Sequence, residues 1–161
     1  MVPLCSVFGS PAELVLVESG LVEQALDFVS RNTQPEAHIE NGTRVDRSTY
    51  PAEVLREVIV NALVHRDYTI AGTDVTMTIF DNRLEVESPG RLPNTATVDA
   101  LKSGFRYARN QTLVNIMRDY RYVDFRGMGI RDKIIPGMRA HNNTEPALIE
   151  SGHGFTLRLL K

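Results

Sequence analysis

The sequence predicts an α+β fold in which helices cover one face of a mainly antiparallel sheet. Three observations support this class. Apolar residues surround a helical segment at about 51–66, they alternate with polar residues over 75–88, and the alternation returns near 146–150 and 153–160. Helices that alternate in sequence with paired strands pack as a two-layer sandwich.

The first third of the chain differs from the rest in composition and in the pattern of its apolar residues. Residues 21–31 carry apolar side chains at helical spacing with acids between them, which predicts an amphipathic helix. Residues 32–49 are polar, and Asn41-Gly42 is a turn signal between two short strand-like pieces. We therefore expect residues 1–49 to be the tail of a preceding domain and residues 50–161 to form the main one.

The helix at about 51–66 is the most informative segment. Pro51 suits the first helical position, and the apolar residues that follow lie on nearly every side, so the helix should be buried. Glu57 and Asn61 lie one turn apart within this apolar surface. A buried polar group is costly unless it is paired, and a ligand is one such partner. The structural alternative is that Glu57 pairs with a nearby arginine and Asn61 caps a loop.

The remaining elements follow from local patterns. The 75–88 hairpin turns at Asp81-Asn82, and its second strand ends at Pro89-Gly90. Along 110–120, Leu113, Met117 and Tyr120 share one helical face, which predicts that they are buried. Two further helices are expected, a short one near 97–103 and a longer one at about 130–140 that follows a loop with two glycines.

Composition and missing motifs exclude several classes. At 161 residues the chain is the size of one domain, and no apolar run approaches the roughly 18 residues that cross a bilayer. The N-terminus lacks the charged start of a secretory signal, so we expect a cytoplasmic protein. The single Cys5 cannot form an internal disulfide, and the histidines lack zinc-ligand spacing. No GxxxxGK[ST] occurs, so the chain is not a helicase motor by itself.

One segment is strongly basic. Residues 102–131 hold seven lysines and arginines against two acids, and aromatic residues are interleaved with them. Phosphates are the partner to consider, in a nucleotide or in a nucleic-acid backbone. Three interpretations stay open: a lid over a nucleotide, a nucleic-acid surface, or a solvated helix whose aromatic residues turn inward.

Three fragments of the chain resemble a known domain when they are read in order. They are Glu57 to Asn61 on a buried helix, Ser88 to Pro93 at a strand end, and Arg126 to Ile130 before a helix. Their order resembles the Bergerat-fold ATP-binding domain of gyrase, histidine kinases and MutL, also called the GHKL fold. YPAEVLREVIVNALVHRDY, FDNRLEVESPGRLP, the pair Arg109-Asn110 and RGMGI are similar to its divergent branch, the RecG-type helicase C-terminal domains and transcriptional regulators. The resemblance covers about 50–160.

The resemblance implies a Bergerat-type sandwich that binds ATP and Mg²⁺. Glu57 would be the catalytic residue that orients or deprotonates water, and Asn61 would hold the metal. Ser88, Gly90, Arg109, Gly127 and Gly129 would bind the nucleotide. The resemblance also implies a regulator or helicase-related, DNA-binding protein, with weak ATP hydrolysis left open. DNA would be contacted by a neighbouring domain or by the basic segment 102–131, and a homodimer is left open.

The chain departs from the family pattern at one position. Active relatives have an aspartate that accepts the adenine amino group, and this chain has Ser88 there. Glu87 could replace that aspartate only if the strand carried a bulge, because neighbouring residues of a strand point to opposite faces. The alternative function is therefore a non-enzymatic module that retains the fold for oligomerisation or ligand sensing.

Overall fold

The computed structural model describes residues 11–40, 43–123 and 129–161. Within these ranges the helices are separated by short strands, and the order of elements matches the α+β expectation. In chain order the elements are α1 (Pro11–Asn32), β1 (Glu36–Glu40), β2 (Thr43–Arg47), α2 (Ala52–His65), β3 (Thr76–Ile79), β4 (Arg83–Pro89), α3 (Val98–Lys102), α4 (Gln111–Asp119), a π-helical turn (Ile130–Ile134), α5 (Ile135–Asn142), β5 (Ala147–Glu150) and β6 (Gly154–Leu160).

The main sheet has four strands in the order β3-β4-β6-β5. Every neighbouring pair among these described strands is antiparallel, in agreement with the mainly antiparallel sheet expected. Leu84, Val86, Leu157 and Leu159 on its two central strands belong to the same buried core as the helices, whereas Glu85 between them pairs with arginines on the other face. The helices therefore cover one face of the sheet. Strands β1 and β2 pair with each other as a separate ribbon.

Helix α2 lies at the centre of the core. Eight of its apolar side chains are buried, as the all-round apolar pattern predicted. Val22, Ala25 and Val29 of α1 belong to the same core cluster, so α1 packs directly on α2. Helix α1 also begins ten residues earlier than expected, at Pro11, a residue that suits a first helical turn. The boundary expected between residues 49 and 50 stays a prediction.

Side chains from the loop before α4 hold the C-terminal end of α2. Asn110 donates from Nδ2 to the carbonyls of Val64, at 2.7 Å, and Arg66, at 2.9 Å. Arg109 donates from Nη1 to the carbonyl of His65 at 3.3 Å. The last carbonyls of a helix have no partner within the helix, so these contacts satisfy them and place Arg109 beside the end of α2.

The helix expected at 130–140 begins instead with the π-helical turn that leads into α5. Pro136 has no backbone N–H and cannot donate to the carbonyl of Asp132, which an α-helix would require. The N–H of Ile135 bonds to the carbonyl of Ile130, five residues back rather than four. The wider turn accommodates the proline without ending the helical segment.

Two glycines of this segment allow it to lie very close to α2. A Cβ at residue 137 would overlap Cγ2 of Val54, and a Cβ at residue 129 would overlap the carboxylate of Glu57. Gly129 has an ordinary helical φ of −56°, so close approach rather than a turn requires the glycine. The two glycines lie eight residues apart, on one face of the segment, and Val54 and Glu57 lie one turn apart on α2.

One core prediction was wrong. Leu113 and Met117 of α4 are buried as expected, but Tyr120 is 50% exposed. The helix ends at Asp119, and Arg121 adopts a positive φ of 62°. The chain therefore turns away before Tyr120 can continue the buried face.

The close approach at Gly137 gives a test of this packing. We expect Gly137→Ala to lower the free energy of unfolding by about 1–3 kcal/mol, because the new methyl group meets the stiff, buried Val54. Gly152→Ala is the matched control, since a Cβ there has open space around it, and its effect should stay within about 0.5 kcal/mol. Urea denaturation measures both. Equal stability of the two variants would contradict the packing.

Candidate functional site

A cleft of about 110 Å³ opens between α2, the end of β4, the loop after it and the start of the helical segment at residue 129. This volume holds a group several times the size of a water molecule. Residues far apart in the sequence meet around it. Five of the residues expected to bind nucleotide or metal line the cleft: Asn61, Ser88, Gly90, Arg109 and Gly129. Gly127 lies outside the described residues.

Glu57, the expected catalytic residue, lies behind Gly129 rather than in the wall of the cleft. Its Oε1 accepts a long hydrogen bond from Nδ2 of Asn61 at 3.4 Å, and its Oε2 lies 3.2 Å from Nζ of Lys133. The carboxylate is only 12% exposed. Among the described residues the ion-pair partner of Glu57 is thus a lysine, which sequence reasoning did not identify, rather than the arginine that the structural alternative required.

Asn61 has an oxygen left for a ligand. Its Nδ2 group donates to Glu57, and no described residue donates to its Oδ1. The side chain lines the cleft next to Gly129. Mg²⁺ prefers oxygen ligands and keeps several waters, so one amide oxygen together with ligand phosphates is a suitable donor set. The described residues fit the expected metal, although they hold no cluster of three or more acidic, histidine or cysteine ligands.

Ser88 is positioned to accept a hydrogen bond from a ligand. It is 5% exposed, and its hydroxyl donates to the carbonyl of Ala62 at 2.7 Å. A hydroxyl has one hydrogen and two lone pairs, so this oxygen can still accept. The strand is regular here, with Ser88 opposite Phe155 and Glu87 opposite Thr156, and Glu87 is exposed. Glu87 does not replace the missing aspartate, because there is no bulge.

Gly90 and Arg109 form one unit at the end of β4. Gly90 has a φ of 107°, and a Cβ there would overlap the Arg109 guanidinium. Only glycine fits this conformation and this contact easily. Arg109 is held by protein groups, namely the carbonyls of His65 and Arg91 and the carboxylate of Asp67 at 3.7 Å. It therefore contributes positive charge and support to the cleft.

His65 lines the cleft and was not identified from the sequence, where histidines were considered only as zinc ligands. Its ring stacks on Tyr107, with ring centroids 6.2 Å apart and planes 24° apart. Burial, together with the charge of Arg109, lowers the pKa of His65 to about 4, so the ring is neutral at pH 7. The spacing of Val58, Asn61 and His65 along one face of α2 was the available signal.

The lining of the cleft combines positively charged side chains with apolar and aromatic ones. Arg91, Arg109 and Arg131 are among its lining residues, and none of the lining residues that the structure describes is acidic. Arg131 lies two residues after Gly129, and both line the cleft. Other lining residues are apolar or aromatic, and they include Leu101, Phe105 and Phe155. The arrangement suits a ligand with a flat apolar part and an anionic part.

The antiparallel sheet with helices on one face fits the GHKL fold, and comparison with known proteins agrees. Residues 72–159 match the sequence profile of the family described as "Putative ATP-dependent DNA helicase recG C-terminal" (HATPase_c_4). The chain belongs to this family. The α+β class, the Bergerat-type fold and the family expected from the sequence are confirmed.

One similar solved structure is the crystal structure of the DIP2311 protein from Corynebacterium diphtheriae. The TM-score is 0.79 at 27% identity, over 98% of this chain and 31% of that one. The present chain thus spans less than a third of that protein. No curated protein matches the chain. Among the helices described, none is long and apolar enough to cross a membrane.

The lowered pKa of His65 predicts a dependence of stability on pH. Because the folded state binds this proton less readily than the unfolded state, stability is complete above the ordinary pKa of 6.5 and falls as the pH drops toward 4. Between pH 7 and pH 4.5 this group should remove up to about 2 kcal/mol. The free energy of unfolding of the His65→Phe variant should lack this contribution to the pH dependence. Urea denaturation at both pH values tests this, and equal pH dependence in parent and variant would contradict it.

Proposed function

We propose that this chain is a nucleotide-binding module that takes ATP together with Mg²⁺. The observation that carries the proposal is the convergence of Asn61, Ser88 and Gly129, from three separate parts of the sequence, on one cleft. The base would occupy the apolar part beside Ser88, and the phosphates would lie toward Gly129 and Arg131. This orientation puts the anionic part of the ligand beside the positive charge of Arg131.

The base would be held less selectively than in relatives with an aspartate at this position. Ser88 offers a neutral oxygen that already donates to Ala62, so it can accept from an amino group. Hydrogen bonds to charged groups contribute about 1.5–3 kcal/mol, whereas neutral ones contribute about 1 kcal/mol. Affinity for ATP should accordingly be lower than with an aspartate, by a factor of about ten.

At the phosphate end we propose that Mg²⁺ binds, and hydrolysis of ATP would be a further step. Asn61 would supply an oxygen ligand to Mg²⁺, which when bound offsets phosphate charge. Glu57 lies one turn from Asn61 and contacts it, which supports the proposal that its carboxylate would take a proton from a water near the terminal phosphate. The same residue is ion-paired with Lys133, which holds it in one position.

A second candidate function is a non-hydrolysing sensor in a transcriptional regulator or helicase-related protein. The neutral Ser88 favours it, because weak selectivity suits a reporter of nucleotide level better than an efficient ATPase. In this proposal residues 1–49 join the module to a neighbouring DNA-binding domain. The basic segment 102–131 supplies Tyr107 and Arg109 to the cleft, which favours a nucleotide-facing role over a nucleic-acid surface. A homodimer stays an expectation.

The metal site can be tested with one substitution. We expect the parent protein to bind ATP saturably with Mg²⁺ and to lose most of this binding in EDTA. Asn61→Leu should abolish the dependence on Mg²⁺ and leave the melting temperature equal or higher, because it removes an amide oxygen that no described residue pairs. Calorimetric titration and thermal melts measure both properties.

The control is Asn115→Leu, which changes an amide on the exposed side of α4, away from the residues that line the cleft. It should bind Mg-ATP as the parent does. A parent that shows no heat with Mg-ATP, and whose melting temperature does not respond to it, would overturn the proposed function. An Asn61→Leu variant that unfolds more readily would instead assign Asn61 a structural role.

A further inference from the structure

Lys133 lies in the closest part of the helix packing described above. It is four residues from Gly129 and four from Gly137, so all three lie on the face of the helical segment that meets α2. Its Nζ lies 3.2 Å from Oε2 of Glu57, whose other oxygen contacts Asn61 and the backbone at Gly129. The ion pair therefore joins the two elements that flank the phosphate end of the cleft.

This position creates an electrostatic problem for an anionic ligand. Glu57 lies directly behind Gly129, which lines the cleft, and an uncompensated carboxylate there would repel phosphates. Two like charges a few ångströms apart in a partly buried site repel each other more strongly than they would in bulk water. With 12% of its side chain exposed, Glu57 is poorly screened by water. Lys133 is the cation that contacts it.

We propose that Lys133 is a positioning residue for Glu57 that makes the phosphate end of the cleft compatible with a polyanion. It fixes the carboxylate against Gly129 and neutralises its charge, while contacts with the ligand itself are left to other groups. The inference rests on the proposed nucleotide function and adds a residue to it. Sequence reasoning missed Lys133 because the lysine is four residues beyond the glycine fragment and distant in sequence from Glu57.

The test is a double-mutant cycle of Glu57 and Lys133. For each variant the affinities for two ligands are measured, ATP with Mg²⁺ and uncharged adenosine. Lys133→Met should weaken ATP about tenfold, because the carboxylate is left uncompensated, and should change adenosine by less than about twofold. Glu57→Gln should increase the affinity for ATP relative to the affinity for adenosine. The double variant Glu57→Gln with Lys133→Met should return the ratio of the two affinities to near that of the parent. Lys133→Arg, which retains the charge, should keep the parent ratio.

The outcomes separate this inference from the proposed function. If the parent binds neither ligand, the proposed function fails and the inference fails with it. If the parent binds both ligands but the ratio of ATP to adenosine affinity stays constant across all four variants, only the role of Lys133 is overturned, and the pair is structural. Thermal melts identify a variant that is merely unfolded. If Lys133→Met is unfolded, the Glu57→Gln variant alone decides between the two roles. A purely structural pair predicts that Glu57→Gln does not raise the affinity for ATP.

Discussion

The close contact between α2 and the helical segment that starts at Gly129 is the constraint on which the site depends. Gly129 and Gly137 leave no side chain at the two points where the segment meets Glu57 and Val54. Because the helices approach so closely, a carboxylate on α2 lies against the backbone that lines the cleft. Any larger residue at these positions would widen the gap and separate Glu57 from the backbone that lines the cleft.

Helix α2 serves both the core and the cleft. Its apolar side chains pack on α1 and on the sheet, while Asn61 and His65 extend along the side that lines the cleft. Its C-terminal carbonyls are held by Asn110 and Arg109, so the loop that forms the opposite wall is tied to the same helix. Moving this wall away from α2 would leave those carbonyl groups without these partners.

Much of this arrangement could be predicted from local sequence patterns. The period of α2, the hairpin of β3 and β4 and the last strand pair follow from the alternation of apolar residues. Asn61 could be selected because it is a polar residue within an apolar helix, whereas Ser88 and Gly129 were selected through the resemblance to the family. Local patterns could not predict contacts between residues that are distant in sequence. The pairing of Lys133 with Glu57 and the stacking of His65 on Tyr107 depend on how the elements pack.

Other differences have equally specific causes. The π-helical turn arises because Pro136 lacks an N–H, an effect that shifts the hydrogen bonds of its neighbours without ending the helix. Tyr120 follows the helical period of α4 in sequence, but the helix ends one residue before it. In both cases the periodicity predicted the existence and type of the element correctly, and the backbone at its end determined the rest.

The central claim is that one cleft holds the nucleotide with its base near Ser88 and its phosphates near Gly129. Backbone amide chemical shifts of the ¹⁵N-labelled protein, followed during titration with Mg-ATP, test this most directly. The account predicts that the largest changes fall at Asn61, His65, Ser88 and Gly129, and that the amides of β1 and β2 hardly move. Changes scattered over the surface, or centred on that ribbon instead, would contradict it.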